Sequence, residues 1–367
     1  MNKSINYNEK LHFHFHPKHG WINDPNGLLF FKDYYHVFYQ HEPDSERPWF
    51  EPRHWGHART KDFLEWEELP VALYPDAKFD HEGCWSGTAI VKDDVLYLFY
   101  ASLYGEDKKQ TISIAYSSDG IHFEKYAGNP VIDGFPPQGS KDFRDPAVWQ
   151  QDGKFYCVIA SAHVQSGTGR LLLYVSENLF DWEYHSIFYE WENCVYTECP
   201  SVIPMGDKLL VSASICPTGG KPYFRLLYGT FENEHFSAEH TACLDNGPDQ
   251  YAGQMFRDPD GRVILISWFP GWDYWNYASK DIGCMSAARE VKFENGVFTL
   301  FPVKEYQHLL KEEDPCVKCT ESGFIVERTG REALVYEGAV EDLKILRDAY
   351  VAEIFVNGGR ETYTVLL

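Results

Sequence analysis

The sequence predicts an all-β fold: a five-bladed β-propeller followed by a shortened C-terminal β-sandwich-like module. Five short runs rich in β-branched and aromatic residues recur, each after a polar turn and each followed by a further strand-like segment. The runs lie at 34–40, 95–102, 154–162, 208–215 and 262–269. Helical periodicity is nearly absent before about residue 303. Five four-stranded units of this length are typical of a propeller, whereas a large sandwich would not need five equivalent units.

The composition and net charge of the chain indicate which kinds of binding partner it can have. The chain has 367 residues, 44% of them hydrophobic and 16% aromatic, with a formal charge of −22. Such a charge disfavours nucleic acid and anionic membranes, and a neutral small molecule fits better. The nine cysteines include one CxxC, Cys316 to Cys319, which no second pair of ligands follows, so a metal site there is weakly supported. A polar N-terminus and the lack of a long apolar stretch predict a cytoplasmic protein with reduced thiols.

Three acids fall at corresponding places in the repeat. The strands that precede the five runs each carry one polar residue at a similar position, namely Asp24, Ser86, Asp145, Glu198 and Tyr251. These residues are 62, 59, 53 and 53 positions apart. The innermost strands of a propeller line its central channel, so we expect these side chains to form a ring around one mouth of the channel. Each acid alone is explained as a turn or channel residue, but their shared phase indicates a common function.

Converging carboxylates have a known chemical use. Cleavage of a glycosidic bond needs one ionised carboxylate at the anomeric carbon and one protonated carboxyl that supplies the leaving oxygen with a proton. Arg144 is expected to help keep Asp145 ionised, and Cys199 is a weakly polar neighbour of Glu198. Aromatic rings that could form stacking walls are Trp21, Trp49, Trp55, Trp85 and Tyr251, although each is equally well explained as propeller packing.

The motifs that contain these residues resemble glycoside hydrolase family 32, which comprises invertases, fructanases and sucrose-6-phosphate hydrolases. The matching segments are 14–31 (HFHPKHGWINDPNGLLFF), 54–73, 83–89 (GCWSGTA), 143–146 (FRDP), 198–200 (ECP) and 249–256 (DQYAGQMF). The resemblance implies that Asp24 is the nucleophile, Glu198 the general acid/base and Asp145 the group that binds the fructose 3- and 4-hydroxyls. It also implies fructose contacts from Asn23, Gln40, Trp49, Ser86 and Arg144, and neither a metal nor an organic cofactor.

The resemblance further implies a retaining double displacement, for which the carboxyl groups lie about 5–5.5 Å apart. Candidate substrates are sucrose, sucrose 6-phosphate and short fructo-oligosaccharides. Three alternatives stay open: a fructosyltransferase or difructose-forming enzyme with the same nucleophile, a catalytically silent sugar-binding protein, and a related five-bladed glycosidase that acts on arabinosides or xylosides. Arg53, Arg59 and Lys221 could hold a 6-phosphate, but solvated surface charge explains them better.

The sequence departs from the family pattern at three places near the pocket and again in the shortened C-terminal module. Asp281 replaces a tryptophan, Ala287-Ala288-Arg289 replaces Leu-Pro-Arg, and Ser201 replaces an acid or amide, which is expected to alter the floor and rim of the pocket. The propeller is assigned to 1–303, and a linker helix with a shortened sandwich-like module to 304–367. Residues 346–364 are predicted to form a hairpin with its turn at 357–359. Its edges would need cover from the propeller or from a second subunit, which leaves a homodimer contact open.

Overall fold

The computed structural model describes residues 10–45, 52–270 and 283–367, and these residues form almost only antiparallel β-sheets. Five sheets follow one another along the chain. The first consists of β1 (Trp21–Phe31), β2 (Tyr34–Glu42), β3 (His54–Thr60) and β4 (Trp66–Leu73). The second consists of β5 (Gly83–Lys92), β6 (Val95–Tyr104), β7 (Lys109–Ser117) and β8 (Glu124–Lys125). The third consists of β9 (Phe143–Gln151), β10 (Lys154–His163), β11 (Thr168–Ser176) and β12 (Glu183–Trp191).

The fourth sheet consists of β13 (Cys194–Met205), β14 (Lys208–Pro217), β15 (Tyr223–Glu232) and β16 (His235–Ala242). The fifth consists of β17 (Tyr251–Arg257), β18 (Val263–Phe269), β19 (Cys284–Met285), β20 (Arg289–Glu294) and β21 (Val297–Pro302). The five runs singled out in the sequence are the second strands β2, β6, β10, β14 and β18, so that prediction is confirmed. Positive φ at Asp33 and Asp94 places each in the tight turn that joins the first two strands of its sheet.

The first strands of the five sheets lie side by side. β1 contacts β5, β5 contacts β9, β9 contacts β13, β13 contacts β17, and β17 contacts β1. A buried apolar cluster fills each interval between neighbouring sheets. The cluster between the fifth sheet and the first includes Ile22, Val37 and Ile264, and the one between the first and second includes Phe38 and Leu98. Apolar burial between neighbouring sheets therefore holds the five sheets together, and sheets of four strands each fit the blades of a propeller.

Two small sheets follow the short 3-10 helix Lys304–Leu309. One consists of β22 (Val317–Thr320), β23 (Gly323–Val326) and β24 (Leu334–Glu337), and the other of β25 (Leu343–Asp348), β26 (Val351–Val356) and β27 (Glu361–Leu366). Phe324 and Tyr336 of one sheet pack with Ile354 and Tyr363 of the other. The predicted hairpin is confirmed, with Asn357 in positive φ at its turn. The linker helix predicted after residue 303 is present as the 3-10 helix Lys304–Leu309.

The edges of the sheet β25–β27 are covered by the same chain. Thr362 donates its N–H to the carbonyl of Leu244 at 2.7 Å, and Asn246 donates to the carbonyl of Thr362 at 2.9 Å. On the other side, Lys311 and Ile345 form an isolated antiparallel bridge. The sequence left open whether the same chain or a second subunit covers these edges. The segment between β16 and β17, which contains Leu244 and Asn246, covers the edge at Thr362, so a second subunit is not required there.

A buried group of charged residues joins this sheet to the fifth sheet. Arg289 is fully buried and donates to Glu353 at 2.9 Å, to Asp245 at 2.6 Å and to Thr364 at 2.7 Å. Each donor reaches an acceptor on a different segment, so one guanidinium connects three parts of the chain. The planar, forked guanidinium suits this role, and its removal would leave the buried carboxylate of Asp245 without this cationic partner.

His14 extends the same network to the N-terminal segment. Its Nε2 lies 3.0 Å from Glu353 Oε1 and its Nδ1 lies 3.1 Å from Asp348 Oδ2. Because both partners are carboxylates, both ring nitrogens must donate, so the imidazole is a buried cation. Burial lowers the pKa of His14, but the hydrogen bonds to Asp348 and Glu353 outweigh it and raise the pKa above its ordinary value.

In the described part of the chain, no helix is long and apolar enough to cross a membrane.

Candidate active site

A β-bulge interrupts the first strand of each of the five sheets at the candidate residues. The extra residues are Asn23 and Asp24 in β1, Ser86 in β5, Asp145 and Pro146 in β9, Cys199 and Pro200 in β13, and Ala252 and Gly253 in β17. Glu198 and Tyr251 are the last paired residues before their bulges. The prediction of one strictly equivalent position is therefore wrong by one or two residues. Bulges redirect side chains, and Asp145 and Cys199 have positive φ there.

The bulges direct the predicted side chains into one cavity of about 220 Å³. Its lining is Asn23, Asp24, Gln40, Arg53, Trp85, Ser86, Arg144, Asp145, Tyr196, Glu198, Pro222, Tyr251 and Trp268. The three predicted acids are thus brought together, with all the predicted substrate-binding residues that the structure describes except Trp21. Their individual roles stay predictions.

The tryptophans divide between wall and core. Trp85 lines the cavity, whereas Trp21 is 6% exposed and lies edge-on to Trp268, with ring centroids 5.8 Å apart, behind the wall. Trp55 is fully buried and donates its Nε1–H to the carbonyl of Trp85 at 3.0 Å. Trp49 lies outside the described residues. Two of these aromatic side chains therefore support the wall through packing and do not line the cavity.

Asp24 is a partly buried carboxylate that accepts side-chain hydrogen bonds. Its Oδ2 accepts the hydroxyl of Ser86 at 2.9 Å and the thiol of Cys199 at 3.5 Å. Burial and the charge of Glu198 raise the pKa of Asp24 to about 6, against the opposing effect of these hydrogen bonds. At neutral pH the group is mainly ionised, as a nucleophile must be.

Asp145 lies beside Asp24 and shares the same thiol. Its Oδ2 accepts the backbone N–H of Cys199 at 2.9 Å and the Cys199 thiol at 3.6 Å. Burial raises the pKa of Asp145 to about 7, and the charges of Glu198 and Asp24 add to it, although Arg144 acts in the opposite direction. The expected help from Arg144 is therefore present, since it lowers the pKa of Asp145, but desolvation is the larger effect and the pKa is raised overall. Cys199 contacts these two acids, in addition to being next to Glu198 in sequence.

Glu198 accepts hydrogen bonds at both oxygens. Arg144 donates Nη2–H to Oε1 at 3.0 Å, and Tyr251 donates its hydroxyl to Oε2 at 2.5 Å. The Arg144 guanidinium carbon lies 4.9 Å from the ring centroid of Tyr196. The two donors fix the orientation of the Glu198 carboxyl group, which a proton donor to a single leaving oxygen requires.

Sequence reasoning missed four lining residues, of which Arg53 is the clearest case. It was interpreted as solvated surface charge, but its side chain is 6% exposed and donates to the fully buried Glu42 at 2.5 Å. The guanidinium lies over the ring of Trp21 at 5.3 Å. An acid at the end of an otherwise buried strand was the available signal, because a buried carboxylate requires a cationic partner. Tyr196, Pro222 and Trp268 carried no comparable signal.

The departures from the family pattern lie mostly away from the cavity. Ser201 is buried and its hydroxyl oxygen accepts the backbone N–H of Met255 at 3.0 Å. Ala287 and Ala288 are in the core, and Arg289 binds the C-terminal sheet. The expectation that these residues shape the floor and rim of the pocket is therefore wrong. Asp281 lies outside the described residues. Within residues 10–45, 52–270 and 283–367, no three His, Cys, Asp or Glu side chains are grouped to hold a metal ion.

Three carboxylates that share one cavity of an all-β fold, two of them with raised pKa values, define the class as a glycoside hydrolase. The chain belongs to glycosyl hydrolases family 32, because the model of the N-terminal domain of that family matches residues 14–302.

Relatives of known activity agree with this assignment. The chain is 35% identical to the sucrose-6-phosphate hydrolase of Escherichia coli over 349 residues, which covers 88% of this chain and 70% of that enzyme. It is also 35% identical to the levanase of Bacillus subtilis, over 80% of this chain but only 47% of the levanase. Among solved structures, the GH32 beta-fructofuranosidase of Bombyx mori superposes with a TM-score of 0.84 at 27% identity, covering 99% of this chain and 90% of that one. The homologues support a β-fructofuranosidase activity.

Proposed function

We propose that the protein is a retaining β-fructofuranosidase that releases terminal fructose from sucrose, sucrose 6-phosphate or short fructo-oligosaccharides. The observation that carries the proposal is the meeting of Asp24, Asp145 and Glu198 in one cavity. Three acids that lie up to 174 residues apart in sequence are held there at the expense of desolvation and mutual repulsion. Such an arrangement destabilises the fold and is explained by chemistry at the site.

In the first step, a carboxylate oxygen of Asp24 forms a bond to the anomeric carbon C2 of the fructosyl ring. The bond from C2 to the leaving oxygen breaks, and its electron pair takes the proton that Glu198 supplies. The product is a covalent fructosyl ester of Asp24 and the released alcohol. Ser86 donates to Asp24 Oδ2, so its hydroxyl holds the attacking group in one orientation.

In the second step, the ionised Glu198 takes a proton from a water molecule as the water oxygen attacks C2. The ester bond to Asp24 breaks and the carboxylate returns to its starting state, so fructose leaves with the configuration of the substrate. Arg144 and Tyr251 hold the Glu198 carboxyl group by one oxygen each, which serves both steps.

The polar lining suits the hydroxyls of one furanose ring. The side-chain oxygen of Asn23 is buried and has no hydrogen-bond partner among the described residues, so it is available to accept a sugar hydroxyl. Asp145 accepts from Cys199 at only one of its oxygens in the contacts above, and we assign the other to the 3- and 4-hydroxyls of fructose. Trp85 offers an aromatic face. A cavity of this size favours a single terminal sugar unit over an internal one.

The same proposal includes the finer features of the fold. We assign residues 1–303 to a five-bladed propeller and 304–367 to the linker helix and the sandwich-like module, which the ring of contacts among β1, β5, β9, β13 and β17 supports. A cytoplasmic location is supported by nine cysteines that are all free thiols. A homodimer through the C-terminal module stays a prediction, for which light scattering after gel filtration is the measurement.

The test compares the wild type with Asp24→Asn and Glu198→Gln on sucrose, sucrose 6-phosphate and 1-kestose, with products followed by NMR. We expect β-fructofuranose as the first product, and a loss of rate on the order of 10³-fold or more in both variants. Glu67→Gln, which removes a surface partner of Arg59, is the matched control and should keep full activity.

Other outcomes overturn specific parts of the proposal. New fructosyl linkages in place of free fructose would indicate a transferase. The α-anomer as first product would exclude retention. Sugar binding without any product, unchanged in Glu198→Gln, would indicate a binding protein in which the carboxylates are inactive.

A further inference from the structure

Asp142 lies immediately before β9 and binds a residue of the cavity lining. Its Oδ1 accepts Nη1–H of Arg144 at 3.1 Å, while Nη2–H of the same guanidinium goes to Glu198 at 3.0 Å. One arginine therefore bridges two carboxylates through separate nitrogens. Asp142 does not line the cavity, and its side chain is 31% exposed, compared with 8% for Arg144.

The backbone of Asp142 is anchored, so its side chain has a fixed origin. Its carbonyl accepts the hydroxyl of Ser161 at 2.6 Å, and its N–H donates to the hydroxyl of Ser140 at 3.2 Å. The Arg144 guanidinium is in turn held over the ring of Tyr196. This geometry differs from an exposed ion pair, in which both side chains keep their rotamer freedom and little is gained.

Resting on the proposed function, we propose that Asp142 is a positioning residue for the acid/base step: it holds Arg144 in place and offsets the guanidinium charge, so that Glu198 can carry its proton to the leaving oxygen. Arg144 donates to Glu198 and, as a nearby cation, favours the ionised form of that carboxyl. A second carboxylate on the far side of the guanidinium weakens this preference. Asp142 acts through Arg144 and has no contact with the reacting atoms.

The electrostatic surroundings of the pair set how large the effect is. The titratable and charged groups that face Arg144 and Glu198 are Asp142 and Asp145 beside Arg144, Tyr196 and Cys199 on β13, Asp24 on β1 and Tyr251 on β17. Of these groups, Asp142 is an acid that binds Arg144 from outside the cavity. The substitution of Asp142 therefore removes a negative charge beside Arg144 and leaves the side chains that line the cavity unchanged.

The test is the pH dependence of kcat/KM for sucrose in Asp142→Asn, with Asp142→Glu as the variant that restores the charge. In Asp142→Asn we expect the alkaline limb to move to lower pH by about 0.5 to 1 unit, because Arg144 then acts fully on Glu198. Above the limb this is a rate loss of roughly three- to ten-fold. In Asp142→Glu the limb should lie nearer to its wild-type position.

A substrate that needs no proton separates this role from a structural one. β-Fructofuranosyl fluoride loses fluoride without general-acid assistance, so its first-step rate in Asp142→Asn should stay within about two-fold of the wild type. The matched control is Glu190→Gln, which removes the carboxylate from another mostly buried arginine, Arg170, of the same sheet and away from the cavity. It should leave the alkaline limb unchanged on sucrose.

Each result decides one statement. An unmoved alkaline limb in a folded Asp142→Asn, or an equal loss of rate on sucrose and on the fluoride, overturns the positioning role while the fructosidase assignment stands. If Glu190→Gln moves the limb equally, the effect is a general one of surface charge and the proposal fails. A wild type that is inactive on every fructoside refutes the proposed function itself, which is a separate outcome.

Discussion

The hydroxyl of Ser86 in the second sheet donates to Oδ2 of Asp24 in the first sheet at 2.9 Å. The two residues belong to neighbouring first strands, so the orientation of the candidate nucleophile depends on how two sheets pack. The bond also stabilises the ionised carboxylate against burial, which otherwise raises the pKa of Asp24. One short side chain thus connects packing with the charge state of the site.

Ser86→Ala should raise the pH below which activity falls. Asp24 must be ionised to attack, and its pKa of about 6 predicts that kcat/KM of the wild type declines as pH drops below about 6. Loss of the hydroxyl raises the pKa of Asp24 further, which moves the acid limb upward by roughly 0.5 to 1 unit. The measurement is kcat/KM for sucrose between pH 4 and 8.

The control for this prediction is Ser113→Ala. Ser113 is a fully buried serine of the same sheet whose hydroxyl contacts Ser102 at 2.7 Å and which lies outside the cavity lining. It should leave the acid limb in place. An acid limb that is identical in Ser86→Ala and the wild type would mean that another group sets it.

Asp145→Asn should stabilise the protein at neutral and alkaline pH while it removes activity. Because burial raises the folded-state pKa of Asp145 to about 7, the native protein binds more protons than the unfolded chain between about pH 4 and 7. The wild type therefore loses stability as pH rises through that window. Asparagine removes this cost and still accepts the N–H of Cys199. We expect a gain of about 1–3 kcal/mol in the free energy of unfolding at pH 8.

Urea unfolding at pH 8, 6 and 4 checks this prediction. The gain over the wild type should shrink steadily as pH falls, and the rate on sucrose should drop on the order of 10²- to 10³-fold. A variant less stable than the wild type at pH 8 would show that the carboxylate is a net structural asset.

Tyr251→Phe should slow the reaction of sucrose. The Tyr251 hydroxyl donates to Oε2 of Glu198 at 2.5 Å and is one of the two donors that orient this carboxyl group. Without it, the proton donor is less well directed at the leaving oxygen, and kcat/KM for sucrose should fall by roughly 10-fold. A rate within about two-fold of the wild type would contradict this function of the hydroxyl.

His14→Gln should destabilise the protein and change its response to alkali. The variant leaves Asp348 and Glu353 without the imidazolium between them, at a cost of about 3–5 kcal/mol. The raised pKa of His14 means that its contribution is complete below pH 6.5 and is lost as pH rises through the folded-state pKa. The melting temperature, measured between pH 6 and 9, should therefore fall less steeply with rising pH in the variant than in the wild type.

His122→Gln is the comparison, because His122 pairs with Asp119 on the surface and both side chains are exposed. It should change the melting temperature by no more than about 1–2 °C. A similar fall in melting temperature in both variants would show that the buried imidazolium of His14 contributes no more to stability than an exposed histidine.

The sequence predicted the five sheets because each repeats a local pattern that needs no long-range information. The second strands and the turn at Asn357 follow from β-branched runs and turn residues alone. The three acids were found because the repeat gives them nearly one phase. Their exact register was not, because β-bulges are tertiary features and residue counts cannot distinguish a paired residue from an inserted one.

Charge partners were the other gap. The adjacency of Arg144 and Asp145 in sequence suggested that they form a charge pair, whereas the hydrogen bonds of Arg144 go to Asp142 and Glu198. Arg53 and Glu42 are 11 residues apart, one immediately before β3 and the other at the end of β2, and the pairing of those two strands brings them together. The composition of a segment states whether a residue can ionise, but its partner and its burial are decided by the assembled sheets.

The three hydrogen bonds that Asp348 accepts from the backbone of His12, Phe13 and His14 span 334 to 336 residues. Contacts of such long sequence separation form late, because a very long loop must be closed before they return any free energy. During synthesis the segment around His14 therefore emerges long before Asp348, from which it is separated by 334 residues, and waits for that partner. Folding of this chain should end with a slow step in which that segment, the fifth sheet and β25–β27 close together. Until then the interval between the first and fifth sheets stays open, and chaperones have apolar surface to bind.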